Sequence, residues 1–487
     1  MKELTRGIKI NFIGNLFRIS RAAFFFCAVA LYGTEQFGVY TLVWTTVEMV
    51  ILFGTLGIDQ GLLFELAHLN RIQDDKKLYQ RIATTLKTMF ALTFVEVTLL
   101  ALYVHLYVDG APIRQGFYLL LPCVPLYNSG LVLLKATMGL KEMKYNAIIR
   151  SSLEPAFMLI FLLLFWKSPL RFQGILLAQA LALVATALLC IHSFGKFFSW
   201  KKVFAELRVQ GSFIDLFRYS IPIYLADGFD NLLYRVDIFL ISALLGTGTA
   251  EQRSLIGVYG LAKQIARAVT QTKKAFTPIF ISMTSESFLG KDIKTLESQV
   301  RYSMEKLLLL NIVLSLFLSL FGKELINLFG KNSSLITEGT FLWLLMGQVI
   351  FSTVSLLVYF LVATKSSGRI LTLMVLVLGA AAITGVKVIR TNGVFGAAVI
   401  VGASYILLSL GTVLETIRLF GSAFITRRSW KIIASGFLAG LICLGVKLTV
   451  PVDWNPWLKM ITAFLPALII YFGLTIPRQS WKGIFKF

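Results

Sequence analysis

Charge is scarce in this sequence, and the residues that build most reactive sites are scarcer. Only 15% of its 487 residues are charged, three are histidine and four are cysteine. His68, His105 and His192 stand far apart near the ends of apolar runs, which excludes a catalytic or metal-binding histidine cluster. Cys27, Cys123, Cys190 and Cys443 each lie inside an apolar run without metal-ligand spacing, as expected of core or lipid-facing thiols. No G-x-x-x-x-G-K-[ST] segment is present, so nucleotide hydrolysis is not a direct driver of whatever the chain does. No loop is long enough to be a domain.

What is plentiful is apolar surface. Hydrophobic residues make up 57% of the chain. They fall in runs of about 20 residues, the length a helix needs to cross roughly 30 Å of hydrocarbon. A soluble chain of this length would instead show several domains of amphipathic elements. The fold class is therefore all-α, a polytopic membrane protein. The formal charge of +22 does not point to nucleic acid, because the bases lie in short loops and form no contiguous basic domain. In a membrane protein such loop bases report orientation.

Hydropathy predicts about fourteen spans, at 9–32, 37–65, 82–106, 115–137, 146–166, 172–191, 216–245, 256–284, 304–321, 339–363, 368–387, 393–415, 431–450 and 457–476. The spans 37–65 and 256–284 are long enough to bend or to run past the bilayer. The stretch "RAAFFFCAVALYG" has some features of a signal peptide but follows an apolar leader, so it reads as an uncleaved first span. Lys and Arg concentrate in the loops on the side of the N-terminus, which puts both termini in the cytoplasm. Between spans six and seven, Phe197, Trp200, Phe204 and Leu207 share one helical face, as expected of an interfacial helix.

The chain repeats itself. "LYGTEQFGVYTL" returns as "LLGTGTAEQRSLIGVYGL", matching Gly38 and Tyr40 to Gly257 and Tyr259, and Gly174 matches Gly393 at the same offset of 219. This predicts a six-helix lobe at 1–192, an interfacial linker at 193–215, a second six-helix lobe at 216–417, and two additional helices with a tail at 418–487. Six is even, so the lobes insert the same way up, related by a pseudo-two-fold axis along the membrane normal. Transporters built this way bind substrate between the halves near mid-membrane.

A charge at the bilayer centre costs about 2.5–3.5 kcal/mol even on the lenient insertion scale, so the intramembrane bases must face water or one another. Lys263, Arg267 and Lys274 share one face of span eight with Tyr259 and Thr270. Asn11, Asn15, Arg18 and Arg21 form a polar face on span one. On span seven, Asp227, Asp230, Tyr234 and Asp237 lie on one side and Arg235 on another, so none of these acids is its i, i+4 partner. Depth places Arg18, Arg21, Arg235, Lys263 and Arg267 near mid-membrane, with Lys135 extending the belt. A cavity ringed by guanidinium and ammonium groups suits a multiply charged anion such as a phosphate ester, and has the wrong sign for a cationic drug. Glu48, Asp227, Asp230 and Asp237 are candidates for ion coupling or counter-charge. The plainer alternative is structural pairing, expected for Arg150 with Glu154. Glu65 with Arg71, and Asp59, are expected to be solvated, and Lys273 and Lys274 to reach the cytoplasmic surface.

The segments "YGTEQFGVYTLVWTTVEMVILFGTLGIDQGLL" and "YRVDIFLISALLG" with "IGVYGLAKQIARAVTQTKKAFTPIF" resemble spans one to two and seven to eight of polysaccharide-transport proteins, the Wzx-type flippases. The resemblance runs over the whole chain, including the turn before "GVFGAAVIVGASYILL". It implies the multidrug/oligosaccharidyl-lipid/polysaccharide (MOP) exporter fold, like that of the MATE transporters, and no enzyme activity. It further implies transfer of an undecaprenyl-diphosphate-linked oligosaccharide, an O-antigen or exopolysaccharide unit, to the periplasmic leaflet of a bacterial inner membrane. Arg18, Arg21, Arg235, Lys263 and Arg267 match in position the cationic cavity of such flippases. No cofactor is implied beyond a proton or sodium gradient. The implied partners are the lipid-linked oligosaccharide, the bilayer and glycan polymerase or ligase machinery. Alternatives are a small-molecule antiporter on the same fold, a lipid II flippase, and a membrane-bound glycan polymerase or ligase, the last disfavoured by the short loops.

Overall fold

The computed structural model describes residues 19–273, 293–329, 335–363, 367–421, 426–449, 454 and 456–475, apart from 109, 141, 143 and 208–213. The described residues contain no strand, as the apolar runs require: within hydrocarbon a helix satisfies its own backbone, and an open sheet edge does not. Ten helices among them are long and apolar enough to cross a membrane. The region of predicted spans seven and eight falls outside that count: the helix Ile214–Leu245 carries several charged residues, and Ala250–Ala266 is only 17 residues long.

Contacts divide the chain into two compact units, residues 1–261 with 329–335 and 385–393, and residues 262–328 with 336–384 and 394–487. The first unit holds α1 (Ile19–Tyr32), α2 (Thr34–Thr55), α3 (Ile58–Ile72), α4 (Asp75–Tyr107), α5 (Ala111–Leu120), α6 (Cys123–Gly139), α7 (Glu154–Trp166), α8 (Gly174–Gly195), α9 (Trp200–Glu206), α10 (Ile214–Leu245) and most of α11 (Ala250–Ala266). The second holds the end of α11, α12 (Ile293–Phe329), α13 (Glu338–Ala363), most of α14 (Ser367–Phe420), α15 (Arg427–Thr449) and α16 (Pro456–Thr475). Gly393 leaves helical geometry within α14, which separates the two spans predicted at 368–387 and 393–415.

Span two is not one helix. Leu56 and Gly57 both take left-handed backbone, at φ 43° and 73°, and separate α2 from α3. Leu56 has a Cβ, so this conformation is uncommon and is held by what surrounds it. Span five is irregular as well. Residues Ala147–Leu153 form a π-helical stretch just before Pro155. A proline ring crowds the carbonyl one turn back and removes a donor, and a widened turn accommodates both.

One apolar core of the first unit joins α3, α4, α6, α8 and α9 through Ile58, Leu62, Ile82, Met89, Leu133 and Phe194. Phe197, Trp200 and Leu207, three of the four residues expected on one helical face, pack on it, but Phe204 is exposed and Val203 supplies the buried contact. Asp74 caps α4 by accepting from the Lys77 backbone N–H at 3.1 Å, which holds its carboxyl below the usual range. In the second unit α15 and α16 pack on α12 around Phe321, Ala439, Ala463 and Tyr471. All four cysteines are free thiols, three buried and Cys27 half-buried.

Lipid offers little hydrophobic incentive for helices to associate, so small residues that let backbones approach become important. Gly38 of α2 and Gly257 of α11 meet in this way: a Cβ on Gly38 would lie 1.8 Å from the Arg253 carbonyl oxygen.

Candidate functional site

The break between α2 and α3 opens onto a cleft of about 700 Å³ in the first unit. Its wall includes Glu48, Thr55, Asp59, Tyr127, Asn231 and Arg235. Arg235 is 5% exposed and pairs with Glu48, 187 residues earlier in the chain. Its other guanidinium nitrogen donates to Asn231 Oδ1 at 2.8 Å and to the Asn231 carbonyl at 3.1 Å, one helical turn back. Tyr234 lies beneath, its ring centre 5.8 Å from the guanidinium carbon. Arg235 is thus fixed in place while still bordering the cleft.

A second buried charge group lies in the same unit. Glu154 is 2% exposed, accepts from Arg21 at 3.3 Å and forms an ion pair with Arg150 at 3.4 Å, the latter being the expected i, i+4 pair. Arg150 also donates to the Tyr127 hydroxyl at 2.5 Å and covers that ring at 4.3 Å. The π-helical stretch carries Arg150 and so sets its direction. Nearby, Tyr40 donates to Gln179 Oε1 at 3.0 Å. Arg21, one of the predicted substrate-binding bases, therefore has a carboxylate partner.

The predicted acids of α10, expected on one face, differ in burial. Asp237 is fully buried, accepting from the Tyr259 hydroxyl at 2.5 Å and from the Ile238 backbone N–H at 2.8 Å. Tyr259, expected to line a cavity, is fully buried in this hydrogen bond. Asp230 is half-buried on α10, and Lys135 half-buried on α6. In the second unit Lys263 is 2% exposed, Arg267 is half-buried, and a 3-10 turn at Arg267–Val269 follows α11. Thr270 turns back to donate to the Arg267 carbonyl at 2.8 Å.

Asn11, Asn15, Arg18 and Lys274 lie outside the described residues, as does the side chain of Asp227. Lys273 does not reach out to the membrane surface: it is buried, with its ammonium 4.7 Å from the Phe351 ring centre. Glu65 pairs at 2.6 Å with Arg81 on the next helix, where Arg71 was the expected companion. Asp59 is buried where solvation was expected, because the helix break turns it inward toward the cleft.

Two polar groups of this unit escape the sequence pattern. Glu96 and Asn128 face the end of α2 from α4 and α6. A lone acid in the apolar run "ALTFVEVTLLALYV" was the available signal for Glu96. Asn128 had none.

A multi-pass helical bundle with broken spans and buried intramembrane bases has counterparts among known proteins. The profile of a family described as "Polysaccharide biosynthesis protein" matches residues 4–282, more than half of the chain, and the chain belongs to that family. No curated protein matches the sequence. Among solved structures, the fold is similar to the lipid II flippase MurJ at 12% identity and a TM-score of 0.73, over 98% of this chain and 99% of that one. It is also similar to a multidrug resistance MATE family transporter of the MOP superfamily at 14% identity and a TM-score of 0.69, over 84% and 95%. A third similar structure is the MATE multidrug transporter DinF-BH, at 15% identity and a TM-score of 0.64, over 87% and 97%. At such identities the likeness shows the fold alone, one shared with these three structures.

Proposed function

We propose that the protein flips an undecaprenyl-diphosphate-linked oligosaccharide, an O-antigen or exopolysaccharide unit, from the cytoplasmic to the periplasmic leaflet of a bacterial inner membrane. Both termini face the cytoplasm in this reading, and transfer follows alternating access. The observation that carries it is the family match, since a polysaccharide biosynthesis protein with a flippase-type fold needs a cargo that is both glycan and lipid. Arg235 beside the cleft is the first choice for a diphosphate ligand, because guanidinium forks hold phosphate oxygens bidentately. Arg18, Arg21, Lys135, Lys263, Arg267 and Lys274 are proposed as further substrate-binding bases, and Asn11, Asn15, Tyr234, Tyr259 and Thr270 as the polar lining. A proton or sodium gradient drives the cycle through one or more of the intramembrane acids, Glu48, Asp227, Asp230 and Asp237 among them.

The likeness to a lipid II flippase favours one second reading, with lipid II as cargo. Depleting the protein and analysing lipid-linked intermediates separates the two. Accumulation of undecaprenyl-diphosphate oligosaccharide on the inner leaflet supports the proposal. Accumulation of lipid II supports the second reading, and normal levels of both reject them together.

A further inference from the structure

Gly54 belongs to the last turn of α2, three residues before the left-handed Gly57. Its bare Cα faces three polar side chains. A Cβ there would stand 2.7 Å from Asn128 Nδ2, 2.7 Å from Thr93 Oγ1 and 3.1 Å from Glu96 Oε2. Thr93 and Asn128 are fully buried. Asn128 Nδ2 donates to Thr93 Oγ1 at 3.0 Å, and the Thr93 hydroxyl approaches the Gly54 carbonyl at 3.5 Å. Two acceptors are then left over. Glu96 Oε2 and Asn128 Oδ1 are both buried, and neither has a hydrogen-bond donor. Glu96 makes no ion pair among the described residues.

The surroundings deepen this negative bias. The C-terminal end of α2 points its last carbonyls, and the negative end of its dipole, toward this point. Tyr224 of α10 packs against Gly57, and its hydroxyl is buried with no hydrogen-bond partner. Its phenol interacts electrostatically with both Glu96 and Asp59. The other ionisable groups around the break are already engaged, Glu48 of α2 by Arg235 and Tyr127 of α6 by Arg150. Among the described residues the oxygens left uncommitted here are acceptors or a phenol, and the bases beside the break, Arg235 and Arg150, are already paired. A carboxylate left like this inside a membrane is costly. A proton on Glu96 turns one surplus acceptor into a donor; a sodium ion gives several acceptors one shared partner. Unwound carbonyls and half-helix C-termini within broken spans are suited to holding such ions.

We propose that Glu96, with Asn128, Thr93 and the Gly54 carbonyl, forms a monovalent-cation site for H⁺ or Na⁺ at the break in span two. The inference rests on the flippase reading only for its use: it names Glu96 as a coupling acid of that transport cycle. Binding itself is independent of the cargo and is tested without it.

The full-length protein in detergent is heated at pH 8 in KCl, at pH 8 in NaCl, and at pH 5.5 in KCl, for wild type, E96Q and E96D. The wild-type midpoint is expected to rise by several degrees in NaCl if the ion is sodium, or on acidification if it is the proton. E96Q mimics the protonated acid, so it is expected to start at the higher midpoint at pH 8 and to lose the response. E96D keeps the charge and is expected to keep a weakened response. A wild type insensitive to both ions, or an E96Q protein with the full wild-type response, overturns the site. No glycan is present, so that failure leaves the flippase reading standing, and failure of the depletion experiment leaves this one standing.

Discussion

Gly38 and Gly257 occupy equivalent positions in the repeat and stack against each other where α2 crosses α11. Two polar contacts flank them, Thr34 to Ser254 at 3.3 Å and Glu35 to Arg253 at 2.6 Å. Shifting residue numbers by the repeat offset exchanges these pairs: 34 becomes 253, and 254 becomes 35. The repeated segment therefore packs on its own copy about a local two-fold, through the residues whose likeness revealed the repeat.

This crossing has no room for a side chain. A Cβ on Gly257 would lie 2.0 Å from the Thr34 carbonyl oxygen, a backbone atom that cannot move aside alone. G38V and G257V are expected to destabilise the protein by about 1–3 kcal/mol or more, the usual range for overpacking. Thermal midpoints in detergent and surface-glycan levels read the effect. G379A is the control, because nothing lies within 4 Å of that position, and it is expected to match wild type.

Arg235 and Glu48 invite a test that separates support from cargo binding. R235A leaves Glu48 without this partner, and breaking a buried pair costs about 3–5 kcal/mol, less here because Glu48 is partly exposed. The double variant E48Q/R235Q removes both charges, so its thermal midpoint is expected to recover much of the loss. If Arg235 also holds phosphate, glycan export stays absent in the double variant although the protein folds. Export restored along with stability shows Arg235 to be structural only.

The sequence made some of this legible and hid the rest for identifiable reasons. Apolar run length exposed the spans because crossing hydrocarbon is a local requirement. Arg150 with Glu154 was readable because i, i+4 neighbours meet on any helix. Arg235 with Glu48 was not, since no local rule joins residues 187 apart. The length of span 37–65 allowed for a bend but did not locate it: the apolar pattern runs straight through Leu56 and Gly57, and a single glycine there is weak evidence. Without the place of that bend the end of α2 was not legible, nor the grouping of Glu96, Thr93 and Asn128 around it.

The Asp237–Tyr259 hydrogen bond links α10 to the middle of α11 in a fully buried setting. Y259F removes the donor and keeps the ring, leaving Asp237 with one acceptor position unfilled. An expected cost of about 1–3 kcal/mol follows for a buried group deprived of its partner. If Asp237 carries the transported ion as well, Y259F is expected to alter the pH or sodium dependence of export. A variant that loses stability but exports with unchanged ion dependence assigns the pair to structure alone.

Glu154 presents the sharpest electrostatic case in the first unit, because one carboxylate serves two guanidinium groups. Arg21 and Arg150 approach it from α1 and from the π-helical stretch, and the acid is 2% exposed. E154Q keeps the shape and removes the charge, so two cations are left facing each other across a neutral amide. The expected loss is about 3–5 kcal/mol, the range for uncompensated buried charge, reduced on the Arg21 side where the guanidinium is 38% exposed. R150Q alone should cost less than E154Q, because Glu154 then keeps Arg21 and only one ion is lost. The order of midpoints, wild type above R150Q above E154Q, tests the arrangement. The reverse order of the two variants would mean that Arg150 acts mainly through Tyr127, whose hydroxyl and ring it also engages.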